Sequence, residues 1–223
     1  MAVAIVVAAG RGERLGSARP KALVALAGRP MLEWSVEALR AVAGIERIVV
    51  VLPPGELGCA PAGTVAVVGG AVRAESVRCG LLAAGDAEVV LVHDAARPLA
   101  TPPLFARALT ALRERDADAV LAAAPVADTL KEVEPGGTAV QGTVDRARLW
   151  AAQTPQAFRR AALEHALAGA SPELLRRATD EAWLLERLGG AVHVFEAGEV
   201  NFKVTTQADL LLAELVLRAR TGG

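Results

Sequence analysis

Apolar residues fall in short runs punctuated by glycine and proline, and the spacing within them alternates between strand-like and helix-like. Val3 to Val7 is an apolar run rich in β-branched residues and reads as a buried parallel strand. Met31 to Val42 places Met31, Leu32, Val36 and Leu39 at helical spacing, with Pro30 suited to the first turn, where its missing N–H costs nothing. Ile45 to Leu52 is a second strand stopped by Pro53-Pro54, and Val65 to Val68 a short third. A helix is predicted from about Arg73 to Ala84, a strand over Glu88 to Val92, a helix from about Pro103 to Arg115 and a strand over Ala119 to Ala124. Strands alternating with helices of this length argue for βαβ units, and so for an α/β fold with a mostly parallel sheet flanked by helices.

Between Pro125 and Trp150 the rhythm changes. Thr129 to Val133 and Thr138 to Val144 read as two strands joined by the turn sequence Glu134-Pro135-Gly136-Gly137. They carry too little apolar surface for a core hairpin, and an isolated hairpin is marginal in water. Two readings stand: an arm that packs on a partner subunit in a two-fold dimer, or an edge hairpin folded onto its own domain. Helices are then predicted over about Arg159 to Leu167, Pro172 to Leu188 and Gln207 to Arg218, with a last strand over Val192 to Phe195. Residues 1–223 form a single domain with a protruding β-arm at about 125–150.

Composition narrows the setting. Hydrophobic residues make up 53% of the 223, but aromatics only 3%, with no tyrosine, so the core must be built from Ala, Val and Leu. A net charge of −1 provides no basic footprint for nucleic acid. No apolar run approaches the roughly 18 residues of a membrane span, and the chain enters a strand without a secretory signal. Cys59 and Cys79 fit no metal spacing and read as reduced thiols, so a cytoplasmic protein is expected.

The chemistry gathers at the ends of strands. Ala8-Ala9-Gly10-Arg11-Gly12-Glu13-Arg14-Leu15-Gly16 follows the first strand and is closed by Pro20-Lys21. Its glycines let backbone N–H groups approach an anion, and Arg14 and Lys21 add charge around it. The loop lacks the third glycine of a dinucleotide fingerprint and the Gly-Lys-Ser/Thr of a Walker A loop. Alone it is equally a tight βα connection and a cradle for a triphosphate. Gly69-Gly70 and His93-Asp94-Ala95-Ala96-Arg97-Pro98 follow other strands, and ligands of open parallel sheets bind outside the strands' carboxyl ends. All three segments fall on that edge, which favours the cradle.

Taken together, Ala8-Ala9-Gly10-x-Gly12-x-Arg14 with Pro20-Lys21, Gly69-Gly70-x-x-Arg73-x-x-Ser76, Val92 to Pro98, Asp128-Thr129, Thr143-Val144-Asp145-Arg146, Thr154-Pro155-Gln156, Thr179-Asp180-Glu181 and Lys203-Val204-Thr205 resemble, in this order, the 2-C-methyl-D-erythritol 4-phosphate cytidylyltransferases of the non-mevalonate isoprenoid pathway. The resemblance covers nearly the whole chain. It implies a doubly wound, Rossmann-like nucleotidyltransferase fold, CTP with Mg²⁺ held mainly through its phosphates, and a homodimer whose β-arms interlock. It also implies attack by an acceptor phosphate oxygen on the α-phosphorus of CTP with loss of pyrophosphate. Two anions meet in such a reaction, so positioning and electrostatics carry it. By resemblance Arg14 and Lys21 bind the triphosphate and stabilise the transition state, while Arg146 and Lys203 orient the acceptor phosphate. Ala8, Ala9, Gly10 and Gly12 present backbone to the nucleotide, and Gly69, Gly70 and Ser76 frame the cytosine and ribose, with Asp94 and Ala95 beside them. Asp94, Arg97, Thr154 and Thr179 complete the acceptor site with Thr129 and Arg146 lent by a partner's arm.

Simpler roles remain for some residues. Ser76 is equally a helix-surface hydroxyl, Thr179 a helix cap and His93 a buried histidine; His165 and His193 have no partner in sequence. Many relatives carry an acidic residue where Ala71 stands, so a contact to ribose or base is lost here, with no replacement visible nearby. The rival activities are a pentitol-phosphate (ribitol 5-phosphate) cytidylyltransferase, which shares these segments, and a nucleotide-binding regulator without catalysis. Against the latter, every positive residue the chemistry needs is present.

Overall fold

The computed structural model describes residues 1–10, 12, 15, 19–198 and 200–221. β1 (Ala2–Val7) leads by way of a 3₁₀ turn at Lys21–Leu23 to a two-stranded hairpin, β2 (Ala25–Leu26) and β3 (Arg29–Pro30). Then follow α1 (Met31–Arg40), β4 (Ile45–Leu52), β5 (Val65–Val68), α2 (Arg73–Leu82), β6 (Val89–Asp94), α3 (Pro102–Glu114) and β7 (Ala119–Pro125). Pro30 stands one residue before α1, in extended backbone, rather than inside its first turn.

The order in the central seven-stranded sheet is β11-β7-β10-β6-β1-β4-β5, where β10 is Trp150–Arg159 and β11 is Val192–Glu196. β1 is parallel to both β4 and β6, β4 to β5, and β7 to β11. Successive side chains of a strand point to opposite faces. Ala4 and Val6 thus join one buried layer with α1 and α3, and Val3 and Ile5 another that includes Val77 of α2. Both faces are covered, as the apolar runs required. The chain leaves β1 for β4 on one side and later returns as β6 on the other. The crevice of a doubly wound sheet opens at such a reversal.

β10 overturns one expectation. The stretch after the arm was read as passing directly into helix, yet ten residues enter the sheet as an antiparallel strand between β6 and β7. Pro155 and the alanines hide it, since proline is normally excluded from central strands. It is tolerated because pairing with β7 runs over Trp150–Ala152 and Gln156–Phe158 and breaks between them. The missing N–H of Pro155 therefore falls where no ladder bond is required.

The helix expected over Pro172 to Leu188 is two: α5 (Pro172–Arg177) and α6 (Glu181–Arg187), following α4 (Arg160–Gly169). Asp180 starts α6 by accepting from the Trp183 N–H at 2.9 Å, so the cap is Asp180 and not Thr179. α7 (Gln207–Thr221) packs Ala213 and Leu217 with Leu26, Met31 and Val204 in a third, smaller cluster. The arm is a separate antiparallel pair, β8 (Leu130–Val133) and β9 (Val140–Val144), which does not join the central sheet. Val133 and Val140 on it are 42% and 60% exposed, so it is not folded onto its own domain as an edge hairpin.

Candidate active site

A cleft of about 470 Å³ opens at the carboxyl ends of β1 and β6, within the size range of small-ligand pockets. Ala8, Ala9, Gly10 and Gly12 line it with Lys21, Gly70, Ser76, Asp94 and Ala95. These are the residues assigned to the nucleotide, with two exceptions. Arg14 lies outside the described residues. Gly69 stands behind the wall: its N–H donates to the Leu52 carbonyl at 2.8 Å, and a Cβ there would come within 2.6 Å of the Ala9 Cβ. Gly12 is required by geometry, with a φ of +71° and a notional Cβ only 2.5 Å from that of Lys21.

Ser76 is no surface hydroxyl. It is 2% exposed, and its oxygen accepts the Gly70 N–H at 3.2 Å, holding the turn that lines the cleft. The Ala71 backbone is held from one helical turn on, where Glu75 Oε2 accepts its N–H at 2.8 Å, so that carboxylate braces the turn.

A second pocket of about 120 Å³ shares Arg73, Asp94 and Lys203 with the first and is lined further by Arg97, Thr154, Gln156, Thr179 and Asp180. Five of the assigned acceptor residues, Asp94, Arg97, Thr154, Thr179 and Lys203, thus converge. Thr129 and Arg146 do not. Both are exposed around the arm, where Arg146 donates to the Ala127 carbonyl, and neither lines either of these two pockets.

Charge is concentrated where the pockets meet. Asp94 Oδ2 accepts from Lys203 Nζ at 2.7 Å and Oδ1 from Arg73 Nε at 3.1 Å. Burial opposes ionisation of this carboxyl, but the Arg73 and Lys203 cations outweigh it and hold its pKa below the usual carboxylate range. Arg73 Nη1 also reaches Glu181 Oε2 at 2.5 Å, and Glu181 is fully buried. Arg97, 9% exposed, donates to the Asn201 carbonyl at 2.7 Å, and burial lowers its pKa. Asn201 in turn donates to Gln153 Oε1 and to the Thr154 carbonyl.

The histidine beside Asp94 is structural. His93 is fully buried, edge-on to Phe105, with Nε2 3.2 Å from the Arg97 carbonyl and Nδ1 3.0 Å from the Thr154 hydroxyl. A carbonyl only accepts, so Nε2 carries the proton and Thr154 donates to Nδ1. Thr154 Oγ1 also accepts the Asp94 N–H at 3.0 Å. The Thr154 hydroxyl thus ties β10 to β6, and its assigned contact with an acceptor falls to the remainder of the residue.

Reading the sequence assigned no role to Arg73, Glu181, Gln156 or Asn201. Arg73 and Glu181 were within the matching segments, but nothing in their spacing shows that they meet.

A family model described as 2-C-methyl-D-erythritol 4-phosphate cytidylyltransferase matches residues 2–219. A 2-C-methyl-D-erythritol 4-phosphate cytidylyltransferase of Nocardia farcinica is 46% identical over 98% of this chain and 94% of its own. One from a Synechococcus strain is 44% identical over 97% and 99%. The crystal structure of the Thermus thermophilus protein of that name superposes with a TM-score of 0.82 at 38% identity, covering 98% of this chain and all of that one.

Proposed function

Since the chain belongs to the 2-C-methyl-D-erythritol 4-phosphate cytidylyltransferase family, and so carries out CTP-dependent cytidylyl transfer in the non-mevalonate pathway, we propose that its two pockets divide the reaction. The larger takes CTP and the smaller 2-C-methyl-D-erythritol 4-phosphate. The observation that carries this division is the Arg73–Asp94–Lys203 group at their junction.

The backbone at Ala8, Ala9, Gly10 and Gly12 meets the nucleotide, and Gly70, fixed by Ser76, closes on the base and ribose. Lys21 and Arg14 bind the triphosphate. Lys203 and Arg97 hold the acceptor phosphate so that one of its oxygens lies in line with the α-phosphorus. The new P–O bond forms as the bond from the α-phosphorus to the bridging oxygen breaks, and pyrophosphate leaves with that electron pair. Negative charge accumulates on the α-phosphoryl oxygens, and preorganised cations such as Lys21 stabilise it more than they stabilise the ground state. An Arg fork suits bidentate phosphate recognition, whereas Lys acts as a compact charge.

Mg²⁺ belongs to this reading as a companion of the nucleotide. Among the described residues no group of three or more His, Cys, Asp or Glu could hold a metal ion, and the Asp94 carboxylate is already shared between two cations. The site therefore fits an ion held by triphosphate oxygens and water, the usual habit of Mg²⁺; such an ion neutralises charge on the phosphates. The exposed arm supports a homodimer in which Thr129 and Arg146 reach the partner's acceptor pocket. No described helix is long and apolar enough to cross a membrane, and we place the protein in the cytoplasm.

The test is pyrophosphate release with Mg²⁺, CTP and a panel of acceptor phosphates. Release is expected with 2-C-methyl-D-erythritol 4-phosphate. Release with ribitol 5-phosphate alone would overturn the choice of acceptor.

A further inference from the structure

We propose that Glu181 is a positioning residue for acceptor binding, acting through Arg73 to fix Asp94 and, through it, the ammonium of Lys203. The proposal rests on the reading that Lys203 serves the acceptor phosphate.

Four side chains of alternating sign run from the interior to the pocket: Glu181, Arg73, Asp94 and Lys203. Their links are Arg73 Nη1 to Glu181 Oε2 at 2.5 Å, Arg73 Nε to Asp94 Oδ1 at 3.1 Å, and Lys203 Nζ to Asp94 Oδ2 at 2.7 Å. Side-chain exposure is 0% at Glu181, 22% at Arg73, 9% at Asp94 and 41% at Lys203. Glu181 is thus sealed behind Arg73, and the ammonium is the most open member of the row, while Arg73 and Asp94 also line the pockets.

Stability does not account for Glu181. Burying an ion pair often contributes less than an apolar replacement would. Glu181 has a further handicap, since its Oε1 is buried without a hydrogen-bond partner among the described residues. Burial raises its pKa, which marks the environment as unfavourable to its charge. A feature that burdens the fold yet anchors the guanidinium at the junction of two pockets is explained by what the guanidinium does there.

Arg73 uses two edges of a rigid fork, one toward each carboxylate. Glu181 holds it from behind, so its plane and distance to Asp94 are fixed. Asp94 then offers its second oxygen to Lys203 in one direction. Without the Glu181 charge, Arg73 draws Asp94 toward itself alone and the tether on Lys203 slackens. Lysine carries substantial rotamer entropy, so a slack tether weakens capture of the acceptor phosphate before it changes the nucleotide walls, which are largely backbone.

Glu181→Gln preserves shape and removes the charge. It is expected to raise the acceptor KM roughly tenfold, the value of one charge-assisted hydrogen bond, while the CTP KM changes less than about threefold on the same scale. Arg73→Lys keeps a cation but cannot bridge both carboxylates, and should reproduce the effect. The double variant should lose no more than the worse single, because both act through one link. Lys203→Ala is the control for the underlying reading. If it raises the acceptor KM while Glu181→Gln does not, or if the two positioning variants add, the Glu181 proposal is overturned and the site reading survives. If Lys203→Ala leaves the acceptor KM unmoved, the site reading fails and takes the proposal with it. Should Glu181→Gln fail to fold, Arg73→Lys decides: a wild-type acceptor KM in a folded protein overturns the proposal.

Discussion

The hydrogen bonds of His93 require a neutral ring, so acid should destabilise this fold in a way traceable to one residue. Nε2 donates to the Arg97 carbonyl, and Nδ1 accepts from Thr154, whose oxygen is already bonded to the Asp94 N–H. A second proton would displace the donation from Thr154 and require that hydroxyl, already accepting from Asp94, to turn and accept again. Burial, the largest cause, together with the Arg97 and Arg73 charges, pushes the pKa down to about 3 from an ordinary 6.5, outweighing the pull of Asp94. A depressed histidine pKa means that the unfolded chain binds the proton first as pH falls. Stability is thus intact above about pH 6.5 and lost progressively toward pH 3. Between pH 7.5 and 4.5 the unfolded state gains nearly one proton over two pH units that the folded state refuses, a loss on the order of 2 to 3 kcal/mol.

Two neighbouring carboxyls titrate as well, Asp94 with the same sign as His93 and Glu181 with the opposite one. Asp94, held low by its cations against burial, loses its contribution only below its unfolded value of 3.8, outside the window. Glu181, raised by burial, takes up its proton earlier in the folded state and so offsets part of the loss. The variant His93→Gln separates them, because it keeps an N–H donor, does not titrate, and leaves both carboxyls in place. Urea unfolding of both proteins at pH 7.5, 5.5 and 4.5 provides the measurement. The variant is weaker at neutral pH by about 1–3 kcal/mol, since the Thr154 hydroxyl loses its acceptor, and the gap narrows by an amount on the order of 2 to 3 kcal/mol on acidification. Parallel stability curves would refute the neutral-ring argument.

Lys21→Ala should lower kcat on the order of 100-fold, as loss of a transition-state electrostatic partner does, with the urea midpoint near that of the wild type; a fully active variant removes Lys21 from the chemistry. Gly69→Ala places a methyl 2.6 Å from the Ala9 Cβ and 2.9 Å from Ser76 Oγ, so the cleft wall must shift. Its CTP KM should rise roughly tenfold with the acceptor KM unchanged, and unchanged CTP kinetics would show that Gly69 does not shape the wall. Sedimentation at micromolar concentration should find a dimer, and a fully active monomer would rule out any part for the partner's Arg146.

Much of the fold could be read directly because its parallel strands are short, largely apolar runs bounded by turn residues. Ile45–Leu52 and Val65–Val68 were located to the residue. β10 was not, for a local reason: the break in its ladder at Gln153–Pro155 lets a proline occupy a central strand, so the usual proline signal points the wrong way. The long helix split for another. Asp180 offered a cap to a new helix, but composition over Pro172 to Leu188 does not reveal that the backbone turns extended at Ala178. In the site, residues that present backbone or charge directly to the cleft were legible from the loops. Arg73 and Glu181 were not, because a partnership across 108 positions leaves no periodic trace.

The polar groups left unpaired show where stability yields to function. Among the described residues, the buried atoms without a hydrogen-bond partner are Ser35 Oγ, Arg97 Nε, Gln156 Oε1, Glu181 Oε1 and Asn201 Oδ1. Arg97 and Gln156 line the smaller pocket, and Asn201 and Glu181 bond to residues that line it. Native interiors rarely tolerate such groups, and a scattered set would signify little. Here two of the five belong to residues that line a single 120 Å³ space, and two more lie one hydrogen bond behind it. β10 is the reason they meet: running antiparallel to β6, it sets Thr154 and Gln156 against the strand end that carries Asp94. Through the Thr154–His93 bond, the same strand passes any slip in its register to the Asp94 backbone.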